Sequence, residues 1–164
     1  MAKELPKILA VNPGTRYIGF AAFRGPDLLD WGVRVISANT PRGRVRVGGQ
    51  IVKEAMERFQ PTTLAVKRLH SSRSSPSLDR LTDSIMEVSR RRRIEIQDYS
   101  ITEVKYVLFS GERGSKRQLA AHLTTLYPVL RRDLLKELAN RQPYYLTMFE
   151  AVALGVVCYR QSEA

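Results

Sequence analysis

The chain has 164 residues, enough for one core of ordinary domain size, and its 43% hydrophobic and 26% charged content is that of a globular protein. No apolar run approaches the roughly 20 residues of a membrane span, Met1–Lys7 has no apolar export signal, and the one cysteine, Cys158, excludes an internal disulfide or a zinc cluster; a single domain over 1–164 that stays in the cytoplasm is expected. With 27 Lys and Arg against 16 Asp and Glu, the net charge of +11 favours a polyanionic partner, nucleic acid first.

In chain order, the apolar run Lys7–Asn12 stops at Pro13-Gly14, as a buried strand stops at a tight turn. Tyr17–Arg24 and Leu28–Ser37 are rich in β-branched and aromatic residues and are split by Gly25-Pro26-Asp27, which predicts an antiparallel hairpin. After the polar link Asn39–Arg44, Val47, Ile51, Ala55 and Phe59 recur at a spacing of four and predict a helix over Val45–Phe59. Gln60-Pro61 ends it, and Thr63–Val66 is a short buried strand running into Lys67-Arg68.

The serine-rich segment Ser71–Ser77 has no apolar anchor and is expected to be a mobile loop that orders on binding. Leu78, Leu81, Ile85 and Val88 predict a helix that ends in Arg90–Arg93, where cations suit the dipole. Ile94–Tyr99 alternates as a strand. Ser100–Glu103 and Ser115–Gln118 both have capping-box spacing and open helices to Phe109 and about Leu126. Pro128 opens a helical stretch over Val129–Ala139, and Pro143 precedes a last helix with Leu146, Phe149, Ala153, Val156 and Val157 on its apolar face. The order βββαβαβα and then helices, without repeat or linker, predicts an α/β mixed five-stranded sheet, three antiparallel strands and then parallel ones, flanked by helices. This is the ribonuclease H-like arrangement.

The residues sharpen that expectation. Ile8-Leu9-Ala10-Val11-Asn12-Pro13-Gly14-Thr15-Arg16-Tyr17-Ile18-Gly19-Phe20 resembles the strand-turn-strand motif that opens RuvC-type Holliday junction resolvases, where aspartate holds the place of Asn12. The resemblance continues in order through Phe59-Gln60-Pro61, Leu64-Ala65-Val66-Lys67, Thr102-Glu103-Val104-Lys105, Ser115-Lys116 and Glu150-Ala151-Val152-Ala153-Leu154-Gly155.

Such a resemblance implies a two-metal nuclease, whose carboxylates hold two Mg²⁺ ions about 4 Å apart around the scissile phosphate. It places these acids at the ends of strands one and four and twice on the last helix. Here those positions read Asn12, Lys67, Thr147 and Glu150. Asn12 keeps a neutral carbonyl oxygen, Lys67 has no acceptor and adds positive charge, and Thr147 is a poor Mg²⁺ ligand. Glu150 is then the sole charged ligand, so neither an intact catalytic set nor a bound metal is expected. Lys67 is expected beside Glu150, its ammonium in place of the missing metal charge.

For nucleic acid, the resemblance points to Lys105 and Lys116 residue by residue, and to Arg73 only by its place in the serine-rich loop. Position at strand ends adds Arg16 and Arg68 as phosphate contacts, and His70 is a candidate to stack on a base. His122 falls inside a helix and offers His70 no second metal ligand, and Arg90–Arg93 reads as a solvated helix end. The leading expectation is an inactive resolvase-like protein that binds branched or structured nucleic acid, DNA junctions first, as the homodimer the resemblance implies. A Mg²⁺- or Mn²⁺-dependent nuclease that regroups Asp98, Glu103 or Glu150, and a protein-interaction subunit of a DNA-processing assembly, are the alternatives.

Overall fold

The computed structural model describes residues 4–69, 71–140 and 143–164. Strands β1 (Lys7–Asn12), β2 (Tyr17–Arg24), β3 (Asp27–Val35), β4 (Thr63–Lys67) and β5 (Glu95–Tyr99) form one sheet in the order β3-β2-β1-β4-β5. β1 and β2 pair antiparallel, as do β2 and β3, whereas β4 lies parallel to both β1 and β5. This is the ribonuclease H-like arrangement expected.

Because side chains alternate across a strand, each strand feeds two cores. Leu9, Val11, Leu64 and Val66 face helices α1 (Pro41–Phe59) and α2 (Pro76–Arg91), with Ile51, Val52, Leu81 and Ile85. Ile8, Ala10, Ala21, Phe23 and Ala65 face the other layer, which is built of α3 (Ile101–Leu108), α4 (Lys116–Leu126), α5 (Arg131–Asn140) and α6 (Pro143–Ser162). Met148–Cys158 of α6 is buried throughout, as an all-round apolar helix must be; the sheet covers one side and α3, α4 and α5 the other.

Two glycines set how closely α6 lies on the sheet. A Cβ on Gly19 would meet the Thr147 carbonyl oxygen at 2.3 Å, and one on Gly155 would meet the Phe23 ring at 2.0 Å. The hairpin is tied to this layer by Trp31 Nε1–H donating to Asp133 (3.0 Å) and Tyr127 O–H donating to the Pro26 carbonyl (2.7 Å).

Element boundaries depart from expectation where caps decide them. α1 begins four residues before Val45, because Thr40 accepts from the Gly43 N–H at 3.0 Å and Pro41 stands in the first turn. The serine-rich segment is shorter than the expected loop: Ser71–Arg73 is a 3₁₀ turn, and Ser75 caps α2 by accepting from the Leu78 N–H at 3.2 Å. α2 stops at Arg91, and Arg93 takes a left-handed backbone (φ 57°) that turns the chain into β5. Residues 128–130 form a 3₁₀ turn ahead of α5 rather than its first turn. No described helix is long and apolar enough to cross a membrane.

Replacing Gly155 by alanine is expected to cost about 1–3 kcal/mol, the usual range for overpacking, and the added substitution Phe23→Leu to recover some of it. Urea denaturation of the single and double variants measures both; an unchanged midpoint in Gly155→Ala would show that α6 is not seated through this contact.

Candidate nucleic-acid interface

The sheet's alternation places the site. Asn12 follows Ile8 and Ala10 on the α6 face of β1, and Lys67 follows Ala65 on the same face of β4. Val11 pairs with Val66, so Asn12 and Lys67 sit side by side at the C-terminal ends of parallel strands, and Asn12 pairs with Gly19 on its other side. α6 rests on Gly19 here and brings Thr147 and Glu150, one turn apart, over this row.

Glu150 is 3% exposed, and each of its oxygens meets a cation. Lys67 Nζ lies 2.5 Å from Oε2 and Lys116 Nζ 3.1 Å from Oε1. Asn12 Nδ2 donates to Glu150 Oε2 at 3.0 Å and to the Thr147 carbonyl at 3.1 Å. Both partners are acceptors only, which fixes the amide with its NH₂ turned into the site. Asn12 therefore acts as a donor here, not as the carbonyl ligand its residue type also allows. Burial raises the Glu150 pKa, but the Lys67 and then the Lys116 ammonium outweigh it and hold the carboxyl below its ordinary value.

Lys116 reaches Glu150 because Ser115 and Gln118 cap α4 reciprocally (3.1 and 2.7 Å) and Leu119, Ala120 and Leu123 pack that helix into the α6 layer. A lysine in the first helical turn opposes the helix dipole, and the Glu150 carboxylate offsets this. The spacing Ser115–Gln118 locates Lys116 at a helix start; that this start faces Glu150 depends on how α4 docks on α6, which the spacing does not reveal.

The other candidates stand in different relations to this centre. Arg16 is exposed and lines a cleft of about 340 Å³ together with Asn12, Lys67, Lys116, Thr147 and Glu150. Gly14 makes the turn beside it, since a Cβ there would meet the Tyr17 carbonyl at 2.7 Å. Arg68 does not line the cleft. Its guanidinium is held by Asp98 (3.3 Å) and by Glu103, the residue whose side chain would otherwise have closed the Ser100 capping box. Arg73 is exposed on its 3₁₀ turn and Lys105 half-buried on α3, both outside the cleft lining. His70 lies outside the described residues. Cys158 is buried, its thiol pushed up to about 11 by burial.

A two-metal centre needs a cluster of anionic oxygens, and the donor set here does not fit one. Two of the four positions present N–H donors, and the single carboxylate is taken up by two ammonium groups. Asp98 and Glu103 converge on Arg68 instead. Among the described residues, no three His, Cys, Asp or Glu side chains are grouped so as to hold a metal ion.

Fold and site thus define a ribonuclease H-like domain with a cation-rich cleft at the strand ends. A family model described as crossover junction endodeoxyribonuclease RuvC matches residues 8–145. The chain belongs to the RuvC family. Among solved structures, Thermus thermophilus RuvC superposes with a TM-score of 0.69 at 17% identity, over 95% of this chain and 96% of that one. The same organism's RuvC in complex with a Holliday junction substrate gives 0.69 at 19% identity, over 96% of each chain. The yeast mitochondrial Holliday junction resolvase gives 0.67 at 11% identity, over 98% of this chain and 81% of that one. No curated protein matches the chain.

Two outcomes test this electrostatic arrangement. Lys67→Met is expected to destabilise the fold by about 3 kcal/mol at pH 7, since it strips a buried carboxylate of one partner. The Glu150 pKa is lower folded than unfolded, so its stabilising contribution is complete above 4.5 and is lost as pH falls through the folded value. The stability difference between wild type and Glu150→Gln, followed by urea denaturation from pH 7 to pH 3, is therefore expected to be largest near neutrality and to shrink below pH 4.5; a difference constant with pH would mean Glu150 is not charged in the fold.

Proposed function

We propose that this chain is a RuvC-family protein that does not cut and instead binds branched or structured nucleic acid, DNA junctions first, without a bound metal. The observation that carries the reading is Glu150, whose two oxygens are each engaged by a lysine ammonium in the cleft. A hydrolytic step by the family's route needs Mg²⁺ to activate water and to neutralise charge on the phosphate; in this chain Lys67 repels a dication and the one carboxylate, Glu150, is engaged by two ammonium groups. Those ammonium groups attract a phosphate instead.

Charge and placement support binding. The +11 excess provides the sequence-independent attraction to a polyanion. The starts of α1, α2 and α3 follow the ends of β3, β4 and β5 at this same edge, where their backbone N–H groups favour anions. Arg73 and Lys105 are proposed as further phosphate contacts outside the cleft, and a homodimer as the working form. The Thermus relative solved with a junction substrate supports a junction as the first ligand to try. Arg68, already paired with two acids, is the weakest of the proposed contacts.

The test is fluorescence anisotropy with a labelled four-way junction in EDTA, with excess linear duplex as competitor and at two salt concentrations. Binding that survives the duplex, with no cleavage after Mn²⁺ is added, is the expected result. Cleavage that disappears in Asp98→Asn or Glu150→Gln would establish a nuclease with a regrouped acidic site. Absence of junction binding would leave the interaction subunit as the better description.

A further inference from the structure

We infer that the cleft between Arg16, Lys67 and Lys116 is a phosphodiester clamp in which two lysine ammonium groups occupy the role of divalent ions. The inference rests on the reading that the chain binds nucleic acid and specifies where and how one phosphate is gripped. Three cations line the cleft against the single Glu150 carboxylate, so the lining is positive before any ligand arrives. An ammonium has three N–H donors. Lys67 and Lys116 each direct one at Glu150, which anchors them and leaves donors for the cleft.

The two lysines differ usefully. The Lys67 side chain is only 13% exposed and is fixed at the end of β4, so it forms the floor; the Lys116 side chain is 49% exposed and stands at the rim with Arg16. A strand phosphate entering between rim and floor meets charge-assisted donors from both sides, held in place by a carboxylate whose two oxygens bridge them. The cleft's volume, about 340 Å³, lies at the small end of the range for ligand sites and has room for a strand phosphate. A divalent ion would have to displace an ammonium from Glu150 and then sit beside the remaining cations. Mg²⁺ is therefore excluded from the cleft.

The experiment follows lysine Nζ resonances of ¹⁵N-labelled protein in EDTA while inorganic phosphate, a four-way junction or Mg²⁺ is added. It is paired with junction affinities of Arg16→Gln and Lys116→Met, rim substitutions that spare the buried Lys67, each variant's fold being checked by urea denaturation because Lys116 also partners Glu150. Phosphate and junction are expected to shift the Lys67 and Lys116 signals, and Mg²⁺ to leave them in place. Each variant is expected to weaken the junction about tenfold and to reduce the slope of log K against log salt by about one. Junction binding unchanged in both variants, with unmoved lysine signals, would overturn the clamp while leaving the protein a junction binder. Shifts caused by phosphate in a protein that ignores the junction would keep the clamp and remove the nucleic-acid reading. Displacement of the Lys67 signal by Mg²⁺ alone would make this a cation site and refute the proposal.

Discussion

A carboxylate buried to 3% exposure must be neutralised or paired, and the way Glu150 is paired governs this end of the molecule. Lys67 comes from the sheet, Lys116 from a helix in the layer above, and Asn12 from the neighbouring strand. Three elements far apart in sequence are tied to one side chain of α6. None of the three contacts is interchangeable with a surface ion pair, where solvent takes most of the gain. Arg91–Glu87 on α2, with both side chains well exposed, illustrates the contrast.

The pairing is possible only because α6 lies so close to the strands. Gly19 removes the side chain that would have lifted the Thr147 carbonyl off β2, and that carbonyl accepts from Asn12. The same amide then reaches Glu150 one turn further on. Gly155 does the same for the opposite half of the helix, where Phe23 fills the space a side chain would need. Core packing and site electrostatics are thus one constraint. A shift of α6 that loosens the core also moves Glu150 from its cations.

Much of this is legible in the sequence. The run Lys7–Asn12, the hairpin with Gly25 in a left-handed turn (φ 56°), and the apolar spacings of α1 and α2 arise from local periodicity, and the structure contains them. Alternation along β1 and β4 also suffices to put Asn12 and Lys67 on one face, and Lys67 does meet Glu150. The start of α1 is less visible because Thr40-Pro41 precedes a polar, arginine-rich turn with no apolar signal. The roles of Arg68 and Lys116 depend on tertiary docking: one is taken up by Asp98 and Glu103, the other delivered to Glu150 by the packing of α4 on α6. No spacing within the chain encodes either.

The charge of the centre links the lost acids to the retained basicity. Four carboxylates with two dications, as the family resemblance implies, leave a centre near neutrality once loaded and strongly negative when empty. One carboxylate with two ammonium groups is cationic without loading, and Arg16 adds to it. An empty acidic cleft repels a polyanion until metal arrives, whereas the field of a cationic one favours a polyanion from the outset. On the proposed reading, Asn12, Lys67 and Thr147 therefore do more than withhold metal ligands. With Lys67 and Lys116 set against the one carboxylate, the charge at the ends of β1 and β4 is positive rather than negative.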